Sequence, residues 1–549
     1  MLDAGIKKMD WVNFRKPQRY VGGEWNMVKK THRGKIKVVL CYPDLYEVGM
    51  SNLGLRIIYG SLNNIDDVVC ERAFMPGLDL ADYLEKNKKK LFSLETKTSL
   101  DTFDVIGFNF SCELNFTNFL YMLTLAGLPV EKKQRKDTIV LGGAILNPEP
   151  LSSFVDVFFM GEFEEKTFEF VSVLRRYKDK ESRLKNLAEI GGFYIPEFYD
   201  VQQKERRYYF SKKYKYAKLP VRKEYVKDLN YSYYPSNWLT PYTRIVHDRA
   251  QVEIARGCPN SCFFCQARSS YYPYREKRVD HILNCLEEIY KNSGYENFSF
   301  LSLSASDYSQ IDTLIDKAGE IFKDKGVGLS LPSLRVDDII GRLYKKLLRI
   351  KKTSLTLAIE AATPGLREKI NKNIDVGAFM EAKDIIKSLN LKHIKFYFMF
   401  GLPFETGEDI FALGELSGKM SRDLGINLNI SINAFIPKPF SHFQGKPMEK
   451  EEILVDKKRM LLKSIKRRRI KVSIADIKKS LLEAAISRGD RSLSRVIHRA
   501  FLFGARFDSY TEYFKWEIWE EAFKQEGIDP RYYLEDFPGD FAWSHIRVE

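Results

Sequence analysis

The sequence predicts an α/β protein in three successive parts: a doubly wound parallel sheet, a partial (β/α)6 barrel and a C-terminal helical cap. Three observations carry that prediction. Short β-rich apolar runs alternate with segments of helical apolar spacing twice over, across residues 35–190 and again across 246–450. From residue 451 onward the strand runs give way to helical spacing. At 549 residues the chain is also too long for one hydrophobic core, so several units are expected on size alone.

Residues 1–34 read as an N-terminal extension. In the α/β unit of residues 35–190, strands are expected at 36–42, 104–111, 138–143 and 155–161. Helical spacing follows a Ser/Asn start over 51–63, and recurs over 116–126. Strands separated by helices imply a parallel sheet that binds ligands at the strands' carboxyl ends. The loops at 43–50, 112–115, 142–150 and 161–165 are therefore the ones to watch. Residues 191–245 read as a hairpin, pairing 193–201 with 207–213, and a linker rich in Tyr and Pro.

The central unit, residues 246–450, shows six strand–helix repeats, with strands at 252–255, 298–304, 327–333, 354–360, 393–401 and 427–435. A complete eightfold barrel takes about 250 residues. Six repeats in a shorter stretch give an open, partial barrel whose active site still lies at the strands' carboxyl ends. Directly after the first strand, Cys258, Cys262 and Cys265 form a C-x3-C-x2-C loop. Apolar burial gives no reason for that spacing, whereas metal or cluster ligation does. An iron–sulfur cubane normally takes four cysteines, so three would leave one iron open to a ligand. A zinc site completed by Cys285 or His281 is the competing reading, although zinc motifs favour two spaced ligand pairs. The C-terminal region, residues 451–549, is read as helices at 451–471, 480–507 and 510–525 that close the barrel's open side.

Composition excludes several classes. Hydrophobic residues make up 44% and charged residues 29%, as in a soluble globular protein, with no apolar run of membrane-spanning length and no signal peptide. Seven cysteines, three of them in one loop, are no disulfide framework, so a reducing cytoplasm is expected. The net charge of +15 is uneven. Residues 201–227 carry ten Lys/Arg against two acids, interleaved with Tyr208, Tyr209, Phe210, Tyr214 and Tyr216, and residues 451–480 carry eleven against four. Such patches suit nucleic acid, through phosphate neutralisation and base stacking. No nucleic-acid-binding signature accompanies them, so a solvated surface is the simpler reading.

The thiol loop, with Phe264 ahead of its third cysteine, resembles that of the radical S-adenosylmethionine (SAM) superfamily, and the resemblance covers residues 246–450. It implies that Cys258, Cys262 and Cys265 hold a [4Fe-4S] cluster whose open iron chelates SAM. Reductive cleavage would then give methionine and a 5′-deoxyadenosyl radical, with electrons from a donor such as flavodoxin or ferredoxin. By the same resemblance Phe264 and the turn at Gly401 lie near the adenine, and Ser304 and Ser306 occupy the loop for the methionine amino group. Glu360 suits the ribose hydroxyls, Arg367 the carboxylate, and Arg335 is a second anion candidate. The outcome on substrate, whether methylation, methylthiolation or rearrangement, stays open.

Residues 141–150, with Asp156 and 161–164, resemble the second half of the cobalamin-binding domains that precede some radical enzymes. Nearly the whole chain resembles one family of radical SAM proteins with such an N-terminal cobalamin-binding-like domain, on stretches 17–24, 42–54, 330–335 and 437–444. The histidine signature for a lower cobalt ligand is missing, and no histidine lies between His32 and His247. Cobalamin without a protein ligand, cobalamin with another ligand, and loss of the cofactor all remain open. Cys41, Cys70 and Cys112 raise a second cluster, as in methylthiotransferases, but their surroundings do not match that family. The reading from a different class is a non-catalytic iron–sulfur or zinc protein that binds RNA.

Overall fold

The computed structural model describes residues 9–332, 354–389, 391–465 and 469–549. In the N-terminal unit, β1 (Ile36–Tyr42), β2 (Val68–Phe74), β3 (Val105–Asn109), β4 (Ile139–Gly143), β5 (Val157–Phe159) and β6 (Phe193–Tyr194) form one sheet in the order β2-β1-β3-β4-β5-β6. Pairing is parallel except for β6, which runs antiparallel to β5. The order reverses between β1 and β3, which puts a crevice at their carboxyl ends. Helix Leu53–Asn63 starts where its sequence signals it: the side chain of Asn52 accepts from Leu55 N–H. Helix Phe116–Leu125 is buried along almost all its length, as its continuous apolar run requires.

β2 is absent from the expected strands, and its sequence explains why. Glu71 and Arg72 interrupt the apolar run, yet the whole strand is buried. Arg72 Nε meets Glu95 Oε1 at 2.7 Å, and its Nη2 pairs with Glu24, so the charges are matched inside the core. The hairpin also shifts. β7 (Tyr199–Lys204) pairs with β8 (Arg207–Lys212), while residues 193–194, expected in the same hairpin, join the main sheet as β6. The linker contributes β9 (Val221–Arg222).

The central unit opens with β10 (Ala250–Glu253), then β11 (Ala255–Arg256) and β12 (Arg275–Glu276), an antiparallel pair that frames the thiol loop. β13 (Asn297–Leu301) and β14 (Gly328–Ser330) continue β10 in parallel. β15 (Ser354–Glu360), β16 (His393–Phe400), β17 (Asn427–Ala434) and β18 (Ile470–Ile474) form a second parallel group. Val252 and Phe300 of the first group share one apolar core with Leu357, Phe396 and Ile430 of the second, as in an opened-out barrel. Six of these strands match the expected repeats. The seventh, β18, falls at the end of a stretch read as helical over 451–471: the helix stops at Ser464, and Ile470, Val472 and Ile474 then alternate with exposed neighbours, a period of two.

The C-terminal helices do not close the barrel's open side. Leu482, Ile486, Val496, Phe501, Trp519 and Phe523 belong to the core of the N-terminal unit. Helix Ile477–Ser487 bridges, since Ile477, Leu481 and Ala484 point into the barrel core instead. The chain ends in β19 (Ile546–Arg547), which pairs parallel with β9. Thus the helical region caps the carboxyl edge of the first sheet and ties both units together.

Candidate metal centre at the barrel's carboxyl edge

The strand carrying the thiol loop stops abruptly because of Gly257. Its φ is +90°, and a Cβ there would meet Tyr271 O, Pro273 O and Tyr274 Cα, each at 2.8 Å. Only glycine turns the chain in that space, and the turn delivers Cys258 to the strand end. Arg256, just before it, is buried and held by Glu253 (two contacts of 2.9 Å), Glu164 (2.8 Å) and Glu162 (3.0 Å). Arg275 on the paired β12 also takes Glu162, at 2.7 Å. Glu162 and Glu164 come from the loop after β5. One of the loops expected to bind ligand is thus a clamp fixing the thiol loop against the first sheet.

Cys258, Cys262 and Cys265 are free and half-buried. Burial raises the thiol pKa of Cys262 and Cys265, and the three cysteines lie within electrostatic reach of one another. Backbone N–H groups of Arg268 and Ala267 serve the Cys265 sulfur, and Lys372 places a positive charge near Cys262 and Cys265. Asn260 Nδ2 approaches Cys258 Sγ at 3.6 Å and donates to Asp307 Oδ2 at 2.6 Å. Backbone donors and a nearby cation offset part of that burial cost, and would support the thiolate charge that cluster ligation requires. Among the described residues no three His, Cys, Asp or Glu side chains surround a single-ion position. Cys285 lies on helix Val279–Ser293 against the barrel core, and its charged neighbours are Lys277 and Glu288.

Three neighbouring segments hold the loop. Phe263 N–H donates to Ile370 O (3.0 Å), and Asn371 Nδ2 donates to Ser261 O (2.8 Å), both from the turn after β15. Phe443 N–H donates to Phe263 O (3.0 Å), and His442 stacks on the Phe263 ring at 4.2 Å, both from the segment after β17. Phe264 packs on an apolar cluster of Leu366, Ile370, Leu402, Phe435 and Phe443.

The expected SAM-contact residues fall into three groups. Glu360 ends β15 with φ +68°, uncommon for a non-glycine residue, where the register with β16 also shifts. Burial raises its pKa, and its charge acts on Cys262 and Lys372, so it lies at the thiol loop. Such strain at a strand end marks a positioned side chain. Gly401 (φ +70°) ends β16, where a Cβ would meet Leu454 Cδ2 at 2.6 Å. Ser304 and Ser306 are buried in the loop after β13, which Asp307 ties to Asn260. Arg367 is buried as well, but its Nη1 donates to Ala361 O (3.1 Å) and Ala362 O (2.8 Å), shaping the turn beyond Glu360. Arg335 lies outside the described residues.

Sequence reasoning missed Lys372, Asn371, Asn260 and His442. Asn260 lies inside the thiol loop but is no ligand type there, while Lys372, Asn371 and His442 reach the loop only because other strand ends fold beside it. Elsewhere, the second-cluster trio does not assemble. Cys70 pairs in register with Val38, three residues before Cys41, a displacement of about 10 Å along the strand at about 3.3 Å per residue. Both are buried in the apolar core, where burial raises their pKa values. The basic hairpin is partly neutralised by Arg206–Glu535, Arg207–Asp540 and Lys213–Asp200 pairs, and buried Lys223 donates to Tyr272 O (2.6 Å). Among the described residues no helix is long and apolar enough to cross a membrane.

Comparison with known proteins gives consistent results. The radical SAM superfamily model matches residues 252–416, and the model for the N-terminal domain of radical SAM proteins matches residues 54–196. An uncharacterised protein of Methanocaldococcus jannaschii is 27% identical over 463 residues, covering 84% of this chain and 90% of the relative. Among solved structures, the radical S-adenosylmethionine methyltransferase TsrM from Kitasatospora setae, with cobalamin and a [4Fe-4S] cluster bound, aligns with a TM-score of 0.48 at 12% identity, covering 72% of this chain and 75% of that one. The cobalamin-dependent S-adenosylmethionine radical enzyme OxsB, with aqua-cobalamin and S-adenosylmethionine bound, aligns with a TM-score of 0.48 at 12% identity, covering 78% and 56%.

Proposed function

Given a radical SAM enzyme, with a radical SAM N-terminal domain ahead of a radical SAM domain, we propose that Cys258, Cys262 and Cys265 ligate its [4Fe-4S] cluster and that SAM binds over the barrel's carboxyl edge. The observation that carries this reading is the placement of three free, half-buried thiols directly beyond the first barrel strand, beside Lys372 and the strained Glu360. When bound and reduced, the cluster supplies the electron that splits the sulfonium of SAM and starts radical chemistry. The protein's own part is positional. Glu360 accepts from the ribose hydroxyls, and Phe264 with the turn at Gly401 flanks the adenine. Ser304 and Ser306 face the amino group, while Arg367 shapes the turn that carries Glu360 and sets the edge on which the carboxylate lies. The clamp of Glu162 and Glu164 on Arg256 keeps the loop fixed while the radical forms.

The division of labour follows the units set out above: residues 35–190 as the N-terminal domain, 191–245 as hairpin and linker, 246–450 as the radical SAM barrel and 451–549 as the helical region. An external one-electron donor such as flavodoxin or ferredoxin would serve the cluster, and seven free cysteines suit a reducing cytoplasm. Cobalamin would have to sit at the carboxyl ends of β3 and β4. The cavity there is about 260 Å³, smaller than the roughly 300–1,000 Å³ of ordinary ligand sites. It is braced by Lys438, which bridges Glu113 and Glu483. A corrin ring would require that bridge to part, so no step is routed through cobalamin.

Anaerobic reconstitution with iron, sulfide, dithionite and SAM tests the assignment. Formation of 5′-deoxyadenosine that Cys258→Ala abolishes is the expected result. The nucleoside failing to form in wild-type protein that holds its iron would overturn it.

A further inference from the structure

The cavity between the two units has a composition that points to a particular ligand. Its wall is drawn from several segments: Ser111, Cys112 and Glu113 beyond β3, Gln266 and Ser270 at the helix entered directly after Cys265, Lys438 between β17 and β18, and Glu483 and Ser487 on helix Ile477–Ser487. It therefore adjoins both the thiol loop and the first sheet. Gln266 Nε2 donates to Pro439 O at 3.1 Å, which fixes the side of the wall nearest the cysteines.

Three charged residues line this space: Glu113, Lys438 and Glu483. Lys438 Nζ lies 2.9 Å from Glu113 Oε2 and 2.7 Å from Glu483 Oε1. Burial opposes the ammonium charge, but the two carboxylates outweigh it and raise its pKa, so the lysine stays charged. One cation against two anions leaves the wall a single negative charge in excess. In a half-enclosed site such an excess is screened less than at an open surface and attracts a compensating cation. Phe110, Phe116, Ile145, Leu146 and Ile486 are among the apolar residues of the wall.

We propose that this cavity binds a small organic cation, an amine with a short apolar segment, whose ammonium compensates the excess carboxylate of the Glu113–Lys438–Glu483 bridge. The volume of about 260 Å³ sets the size class below that of a drug-like ligand. Resting on the radical SAM reading, this amine is the substrate, because the helix after Cys265 forms part of its wall.

Cys112 provides the probe, since its thiol lies in the same wall and burial raises its pKa to about 12. The reconstituted holoenzyme is treated with two methanethiosulfonates of matched size, one carrying trimethylammonium and one carrying sulfonate, and the Cys112 peptide is followed by mass spectrometry. The low thiolate fraction is common to both reagents and cancels in the ratio of their rates. The cationic reagent is expected to react about tenfold faster or more at low ionic strength, with the ratio falling as salt is added. Replacing both acids, Glu113→Gln with Glu483→Gln, should erase the preference. Should that variant fail to fold, slowing of wild-type labelling by n-butylammonium but not by butyrate supports the amine site in its place. Equal rates, a preference for the sulfonate, or no labelling of Cys112 would overturn the proposal. So would protection of Cys112 from both reagents by one equivalent of hydroxocobalamin. Because 5′-deoxyadenosine formation is measured separately, loss of the charge preference with the nucleoside still formed removes the amine and leaves the radical SAM assignment standing.

Discussion

The carboxyl edges of the two sheets are built in opposite ways. At the edge of the first sheet, buried polar groups find partners in the C-terminal region. Asp44 accepts from Tyr510 (2.7 Å) and Asn115 (3.1 Å), Asn147 donates to Ser487 O and Gly489 O, and Glu149 is held by Arg491 at 2.6 Å. At the edge of the barrel, three thiols stay half-buried, Glu360 takes a left-handed backbone, and glycines at 257 and 401 turn where no Cβ fits. Matched buried polar groups rigidify, whereas strain and partial exposure mark positions kept for a ligand. The first edge is therefore mainly a structural seam around the cavity beyond β3 and β4, and the barrel edge is the candidate cluster site.

Substitutions at the two edges should differ in kind. The largest effect is expected for Cys258→Ala, Cys262→Ala or Cys265→Ala. Each should lower iron retention below that of a full cluster and remove SAM cleavage by about a thousandfold or more, since the group lost acts in every turnover. Unfolding midpoints should move little, because these side chains are half-exposed; iron analysis beside thermal melts checks both halves.

Arg256→Met sits between the edges. It leaves Glu253, Glu162 and Glu164 buried without their common partner, and breaking such a network costs about 3–5 kcal/mol. Urea titration of the apo-protein measures it; a loss under about 1 kcal/mol would show that the clamp is not structural. A smaller cost, about 1–3 kcal/mol, is expected for Gly257→Ala, where strained φ and three close contacts act together. Because it displaces Cys258, iron retention should fall with it, unlike a substitution of equal cost at the first sheet.

The smallest predicted effect concerns pH at the first edge. Asp508 is buried, and burial raises its carboxyl pKa above the usual 3.8, against hydrogen bonds from Thr117 and Trp519 that lower it. A raised pKa in the folded state means that the stabilisation is present when the group is protonated and is lost as pH rises through the folded value. Asp508→Asn, which does not ionise, should thus gain stability relative to wild type as pH rises from about 4 to neutral. Denaturant titrations at the two pH values check the sign; a difference between the two proteins that moves the other way with pH would contradict it.

How far the sequence reached follows the same division. Strand–helix alternation revealed six barrel strands and four of the first sheet, because apolar periodicity is a local property. β2 escaped since its Glu71 meets His32, and its Arg72 meets Glu24 and Glu95, pairings across distant segments that no local pattern records. β18 escaped because its short alternation follows a helix and a run of basic residues. The thiol loop was legible since its ligands lie within one turn of chain. Lys372 and His442 were not, as each arrives from a different strand end. The target of the C-terminal helices was likewise hidden: amphipathic spacing declares that a face is buried, but not against which unit.

One spectroscopic measurement bears on the open-iron assignment. Wild-type protein reconstituted anaerobically should hold about four irons per chain and, after reduction, give the electron paramagnetic resonance signal of a [4Fe-4S] cluster that shifts when SAM is added. Iron held at that stoichiometry with a spectrum that SAM leaves unchanged would mean that no iron of the cluster at Cys258, Cys262 and Cys265 is open to it, and would contradict the account.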